Sequence, residues 1–183
     1  IAYASRPARP GTRAISIDAR LPIVTVRGVG VKLDLGGVGK GFALDLMAQL
    51  LDEWDVRRVL LRASASTLLA RHSKRDSTGW PIRFGPRGHQ KRLELVRRAF
   101  SGSGIDVKGN HIVDPKTGES TKRRRTAWAG ARTAAEADAF STAFMVMSDR
   151  QILEFCQRNT CVDAFVLDEN DAAVRTLSAR CRE

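Results

Sequence analysis

The sequence predicts an α+β fold, and three observations carry that prediction. Short Val/Ile-rich segments are mixed with amphipathic segments, without the strict strand–helix–strand alternation of a parallel α/β chain. A glycine-rich run, Asp34-Leu35-Gly36-Gly37-Val38-Gly39-Lys40-Gly41, stands between an extended segment and a helical one. A capping box, Thr133 with Glu136 three residues on, opens a second helix.

Residues 1–13, with Pro7, Pro10 and Gly11, read as a linker or irregular entry, and residues 14–183 as the folded domain. Extended segments follow at Ala14–Asp18, Ile23–Arg27 and Val31–Leu35. From Gly41 the residues Ala43, Leu46, Met47, Leu50, Leu51 and Trp54 recur at helical spacing and predict one apolar stripe facing the core. Val59–Leu61 and Thr67–Leu69 read as strands, and Trp80–Phe84 with Arg92–Val96 as a pair turned by Gly85–Gly88. Ser101–Gly118 reads as loop and Thr126–Ala131 as strand. The capped helix runs to about Met147, and a further helix covers Asp149–Arg158. Val162–Leu167 and Ala172–Leu177 predict a closing hairpin turned by Glu169-Asn170-Asp171.

Composition bounds the function. A chain of 183 residues with 43% hydrophobic and 28% charged content is that of a soluble globular domain, with no apolar run long enough to span a membrane and no signal-peptide core. Because it opens at Ile1, it reads as an excised or processed fragment. The net charge of +11 favours anionic partners or surfaces. The one dense basic run, Lys122-Arg123-Arg124-Arg125, reads as a solvated loop, and with few aromatics for base stacking no nucleic acid is expected as partner. Cys156, Cys161 and Cys181 lack zinc-site spacing and read as buried free thiols, with Cys156–Cys161 pairing the alternative in an exported protein.

Three constellations carry chemistry, and each also has a purely structural reading. The glycine-rich run lets backbone approach an anion at a helix N-terminus, and Lys40 adds a point charge; the same glycines suit a tight strand-to-helix turn. It is neither a Walker A loop nor a dinucleotide fingerprint, since Gly41 and Phe42 break both patterns. In the second, Ser101-Gly102-Ser103-Gly104 precedes His111-Ile112-Val113-Asp114-Pro115-Lys116-Thr117-Gly118. His111 is a candidate general base, because an unperturbed imidazole changes charge near neutrality, and Asp114 is also a turn former. In the third, Asp138 and Thr142 lie one turn apart on the capped helix. Two hard oxygen donors there suit Mg²⁺; alternatively Asp138 answers the helix dipole and Thr142 bonds back to a carbonyl.

Taken together, these motifs resemble the ApbE family of flavin transferases. The resemblance rests on Asp-Leu-Gly-Gly-Val-Gly-Lys-Gly with Asp45, on Ser103-Gly104 followed by His-Ile-Val-Asp-Pro-Lys-Thr-Gly, and on Ala-Asp-Ala-Phe-Ser-Thr-Ala, in that order from about residue 14 to the end. It implies an ApbE-like, T-fold-like mixed sheet with packed helices, lacking the family's N-terminal region. It implies that Asp34, Lys40, Ser103 and Ile112 contact FAD, and that the Gly37 carbonyl, Asp138 and Thr142 hold Mg²⁺, with Ser141 as an extra candidate. His111 would be the base. The activity implied is transfer of FMN from FAD to a Thr or Ser of an acceptor protein with release of AMP; hydrolysis of FAD, or flavin binding without catalysis, is the alternative on the same fold. A basic polyanion-binding module is the further alternative. An extracytoplasmic, periplasmic or membrane-associated setting is implied as well. The departures are Arg62-Ala63-Ser64-Ala65-Ser66 where the family has Asn-Ala-Gly-Gly-Asp, a short Gly104–His111 loop, and Lys116 for Arg. The site residues are expected to converge at one end of the fold.

Overall fold

The computed structural model describes residues 14–28, 31, 33–72, 79–105, 109, 111–121 and 123–179; the linker expected at 1–13 lies outside them. The chain divides into two compact units, Ile1–Leu35 and Gly36–Glu183.

In the first unit, β1 (Ile15–Ile17) pairs antiparallel with β2 (Val24–Val26), with Ile15 opposite Val26. Asp18 shapes the connection, its Oδ1 accepting from the backbone N–H groups of Arg20 (2.8 Å) and Leu21 (2.9 Å). Those bonds hold its carboxyl below the usual carboxylate value. The extended segment expected at Val31–Leu35 is irregular at Val31 and at 33–35, and Lys32 lies outside the described residues.

The second unit is built on a six-stranded antiparallel sheet, ordered β10-β9-β8-β7-β4-β3. Its strands are β3 (Leu60–Ala63), β4 (Thr67–Ala70), β7 (Ala99–Gly104), β8 (Arg124–Ala131), β9 (Asp163–Asp168) and β10 (Arg175–Ser178). A separate hairpin joins β5 (Trp80–Phe84) to β6 (Lys91–Leu95). Three helices complete it: α1 (Gly39–Glu53), α2 (Ala134–Val146) and α3 (Asp149–Arg158).

Strand alternation sorts the two faces. Ala127 and Ala129 of β8 and Ala164 and Val166 of β9 pack with Phe144, Met145 and Ile152 of α2 and α3. The intervening Trp128 and Phe165 turn the other way, onto Phe84 of the β5–β6 hairpin. Alanine dominates the helix-facing side because it lets helix backbones come close to the strands, while aromatics fill the wider gap under the hairpin.

Three expectations are corrected. The stripe on α1 is exposed at Ala43, Leu46, Met47, Leu50 and Trp54, with Leu51 half-buried, and the buried residues are Gly41, Leu44 and Ala48. Gly41 helps set the packed face, because there α1 approaches α2 more closely than any side chain permits. Second, Ser101–Gly104 is not loop but part of β7, in the interior of the sheet. Gly102 is required there because a Cβ would stand 2.6 Å from Cδ1 of the cross-strand Trp128. Third, Arg124 is not part of a solvated loop: it opens β8 and is fully buried. Its guanidinium donates to Asp149 (2.6 Å), the Met147 carbonyl (2.9 Å) and Asp168 (3.2 Å). Arg175 closes the network on Asp149 (2.7 Å), Asp171 (3.1 Å) and Asp168. A charge this buried is tolerable only when paired. Arg123 and Arg125 remain exposed. Cys156 is a buried free thiol, which burial keeps protonated to higher pH, and Cys161 is a half-buried free thiol; Cys181 lies outside the described residues.

A candidate anion and metal site where two helices meet

The site begins with the entry to α2. An α-helix leaves its first backbone N–H groups without partners. Here the N–H of Thr133 donates to Glu136 (3.2 Å) and that of Glu136 to Thr133 Oγ1 (3.2 Å). The two between them, on Ala134 and Ala135, each donate to an oxygen of Asp45 at 2.8 Å. Asp45 lies on α1, so one carboxylate both satisfies the end of α2 and ties the two helices together. Gly41, one turn earlier on α1, makes the approach possible: a Cβ there would stand 2.0 Å from the Ala134 carbonyl oxygen.

This crossing sets the start of α1 against Asp138, one turn into α2. Asp138 is 1% exposed, and its carboxylate is fully engaged. Lys40 Nζ sits across both oxygens, at 3.0 Å from Oδ1 and 3.2 Å from Oδ2. The Gly41 N–H donates to Oδ2 at 3.2 Å. The hydroxyls of Thr67 on β4 and Ser101 on β7 each donate to Oδ1 at 3.2 Å, and lie 3.0 Å apart. A buried carboxylate demands such partners, and three elements, α1, β4 and β7, supply them.

A second layer of hydroxyls adjoins it. Ser103 Oγ is 2.9 Å from both Ser141 Oγ and Thr142 Oγ1. Ser141 and Thr142 also donate back to the Asp138 carbonyl, at 3.0 and 3.1 Å. The helical back-bond read as one alternative for Thr142 is therefore present. Gly37 closes the cradle: a Cβ on it would lie 3.4 Å from Thr142 Oγ1.

The sequence-predicted residues Gly37, Lys40, Ser103, Asp138, Ser141 and Thr142 thus come together. Among the described residues His111 has no hydrogen bond to this set. It is exposed, and its Nδ1 donates to the Gly109 carbonyl at 2.8 Å, which leaves Nε2 of the neutral ring as an acceptor. Ile112 is buried in the core beside Phe144 and Met145 rather than at a surface. Asp114 makes the turn: its Oδ1 accepts from the Lys116 N–H (2.8 Å), and its carbonyl from the Gly118 N–H (2.7 Å). Asp34 lies in the first unit.

Sequence reasoning passed over Thr67 and Ser101 as partners of Asp138. For Ser101 a signal existed, since residues 101 and 103 of a strand share a face. Thr67 comes from a separate strand, and no spacing within the sequence points to it.

A hard divalent cation fits the donor set. Around Asp138 stand hydroxyl and carbonyl oxygens, with no sulfur or imidazole bonded among them. Among the described residues no group of three or more His, Cys, Asp or Glu gathers, so neutral oxygens would have to complete the ligand set around Asp138.

The chain matches the ApbE family over residues 2–166. It is 24% identical over 154 residues to the FAD:protein FMN transferase of Escherichia coli strain K12, covering 76% of this chain and 44% of that protein. Against the FAD:protein FMN transferase of Klebsiella pneumoniae strain 342 it is 22% identical over 164 residues, covering 82% and 47%. The chain therefore spans less than half the length of these relatives. Among solved structures, the flavin transferase ApbE of Vibrio cholerae superposes with a TM-score of 0.79 at 20% identity, covering 92% of this chain and 57% of the other. Flavinyl transferase ApbE of Pseudomonas stutzeri, in its apo form, gives 0.78 at 27% identity, covering 92% and 55%.

Proposed function

The chain belongs to the ApbE family, and we propose that it is the part of a magnesium-dependent FAD:protein FMN transferase that grips the diphosphate of FAD. The observation that supports this most is the buried Asp138 carboxylate, bridged by Lys40 at the N-terminus of α1, with the hydroxyls of Ser141 and Thr142 on the Asp138 carbonyl and Ser103 bonded to both. The Asp138 carboxylate is a ligand for a cation, and the half-exposed Lys40 ammonium beside it is a partner for an anion.

In this reading Asp138, Thr142 and the Gly37 carbonyl hold Mg²⁺, with Ser141 adjacent. The ion supplies charge neutralisation for the diphosphate. Lys40 and the backbone N–H groups at the start of α1 bind phosphate oxygens. Asp34, Ser103 and Ile112 are assigned to the flavin nucleotide's surroundings by family kinship, Ser103 through its hydroxyl and Ile112 by shaping the wall from the core side. His111 accepts the proton of the acceptor's Thr or Ser hydroxyl at Nε2, the ring nitrogen not engaged by Gly109. The acceptor oxygen then bonds to the phosphorus of the FMN moiety. The bridging P–O bond breaks, and its electron pair leaves with AMP.

Calorimetric titration with Mg²⁺ and ADP tests the binding half of this proposal. Asp138→Ala should lose metal binding, because the substitution removes the carboxylate ligand and its charge. Equal metal affinity in the variant and the natural chain would refute the metal assignment.

A further inference from the structure

Lys40 holds the position on Asp138 that a metal ion would need. Its ammonium bridges both carboxylate oxygens, within 3.0–3.2 Å. The other partners of Asp138 are neutral: the Gly41 N–H, Thr67 and Ser101. A carboxylate with 1% exposure needs a balancing positive charge, and Lys40 provides it. A second cation on the same carboxylate would meet like-charge repulsion at close range, in surroundings that screen it poorly. The Lys40 side chain is not locked in place by burial. It is 37% exposed, and its only other hydrogen bond among the described residues is a long one to the Gly36 carbonyl, 3.4 Å. A flexible four-carbon stem lets the ammonium swing away while the backbone of α1 stays fixed by Gly41 and Asp45.

We infer that Lys40 is the resident counter-ion of Asp138, displaced when a divalent cation binds there and thereby released to bind the anionic diphosphate. This rests on the metal assignment proposed above. It adds an order to the events: the metal takes over the neutralisation of Asp138, and only then is the Lys40 ammonium free for phosphate. The neutral donors Thr67, Ser101 and the Gly41 N–H keep the carboxylate oriented throughout, so the exchange requires no movement of the sheet.

The test uses Mn²⁺ as the probe, followed by the electron-spin-resonance signal of the free aqua ion, on the natural chain, Lys40→Gln and Asp138→Asn. Removing the competing ammonium should tighten Mn²⁺ binding in Lys40→Gln by about tenfold or more, the scale on which a neighbouring charge shifts an ionic equilibrium. Asp138→Asn should abolish binding. Lys40→Gln leaves Asp138 without its counter-charge in the absence of metal, so the natural chain is also probed directly. Lys40 is labelled with an amine-reactive reagent with and without Mg²⁺, and quantified by mass spectrometry against Lys91 and Lys116. Its labelling should rise with Mg²⁺ while the two reference lysines stay constant. Unchanged or weaker Mn²⁺ binding by folded Lys40→Gln, or Lys40 labelling indifferent to Mg²⁺ at concentrations where the metal binds, would overturn the displacement. Absence of Mn²⁺ binding by both the natural chain and Lys40→Gln would instead overturn the metal assignment, and the displacement with it.

Discussion

Gly41 of α1 meets Ala134 of α2 so closely that a Cβ on the glycine would fall 2.0 Å from the Ala134 carbonyl oxygen. The obstacle is backbone, which cannot rotate aside as a side chain can. Gly41→Ala should therefore force the helices apart and cost about 3 kcal/mol or more, at or beyond the upper end of ordinary overpacking. Urea unfolding measures the loss. The same variant should weaken metal binding, because the contacts of Lys40 and the Gly41 N–H with Asp138 depend on that crossing.

Asp45→Ala removes the acceptor for two N–H groups at the start of α2, on Ala134 and Ala135. Losing a helix-capping acceptor costs roughly 1–2 kcal/mol. Asp45→Asn keeps one acceptor oxygen and should lie between the natural chain and Asp45→Ala. Denaturation midpoints in that order support the clamp; equal midpoints for all three proteins contradict it.

Arg123 and Arg124 are neighbours in sequence and opposites in energy. Arg124 is fully buried between Asp149, Asp168 and the Met147 carbonyl. Arg124→Ala leaves the half-buried Asp149 and Asp168 with Arg175 alone and empties a buried volume, and should destabilise by about 3 kcal/mol. Arg123 is exposed, 3.8 Å from Asp149, and Arg123→Ala should change stability by less than about 1 kcal/mol. Thermal unfolding of the two single variants separates them.

The same network sets an acid dependence. Burial works against the charge on Asp149, but hydrogen bonds from Arg175 and Arg124 outweigh it and hold the carboxyl below its ordinary value of 3.8. A folded-state value below the unfolded one means that the unfolded chain binds the proton more readily. This contribution is complete above the unfolded value and is lost as pH falls below 3.8 through the folded value. Asp149→Asn should be less stable near neutrality, and should show a flatter loss between about pH 4 and pH 2. Parallel acid profiles in denaturant titrations would rule out Asp149 as a source.

Where a feature depended on neighbours along the chain, the sequence showed it. The Thr133–Glu136 box, the β5–β6 pair with its glycine turn, the α3 span and the Asp114 turn are all local. So is the one-turn spacing of Asp138 and Thr142. What failed depended on distant partners. The face of α1 was misjudged because apolar periodicity counts large residues, whereas the helix packs through Gly41, Leu44 and Ala48. Arg124 looked solvated in a run of bases, because its carboxylates, Asp149 and Asp168, lie 25 and 44 residues further on. Ser101 and Thr67 meet Asp138 only through the β4–β7 pairing, which places Thr67 opposite Ser101. A resemblance in motifs brought Lys40, Ser103, Asp138 and Thr142 onto one short list before their geometry was known; it did not reveal that Lys40 already sits on the carboxylate.

The central proposal is that the protein cleaves the diphosphate of FAD and passes FMN to an acceptor hydroxyl. Mass spectrometry of the small molecules and of the acceptor tests it most directly, after the natural protein bearing this chain is incubated with FAD and Mg²⁺, with and without an acceptor protein. The account predicts AMP in step with FMN attached to a Thr or Ser of the acceptor, both lost in Asp138→Asn and on removal of Mg²⁺. AMP released at the same rate without acceptor, accompanied by free FMN, would contradict transfer in favour of hydrolysis. Intact FAD throughout, with a folded protein, would contradict the activity altogether.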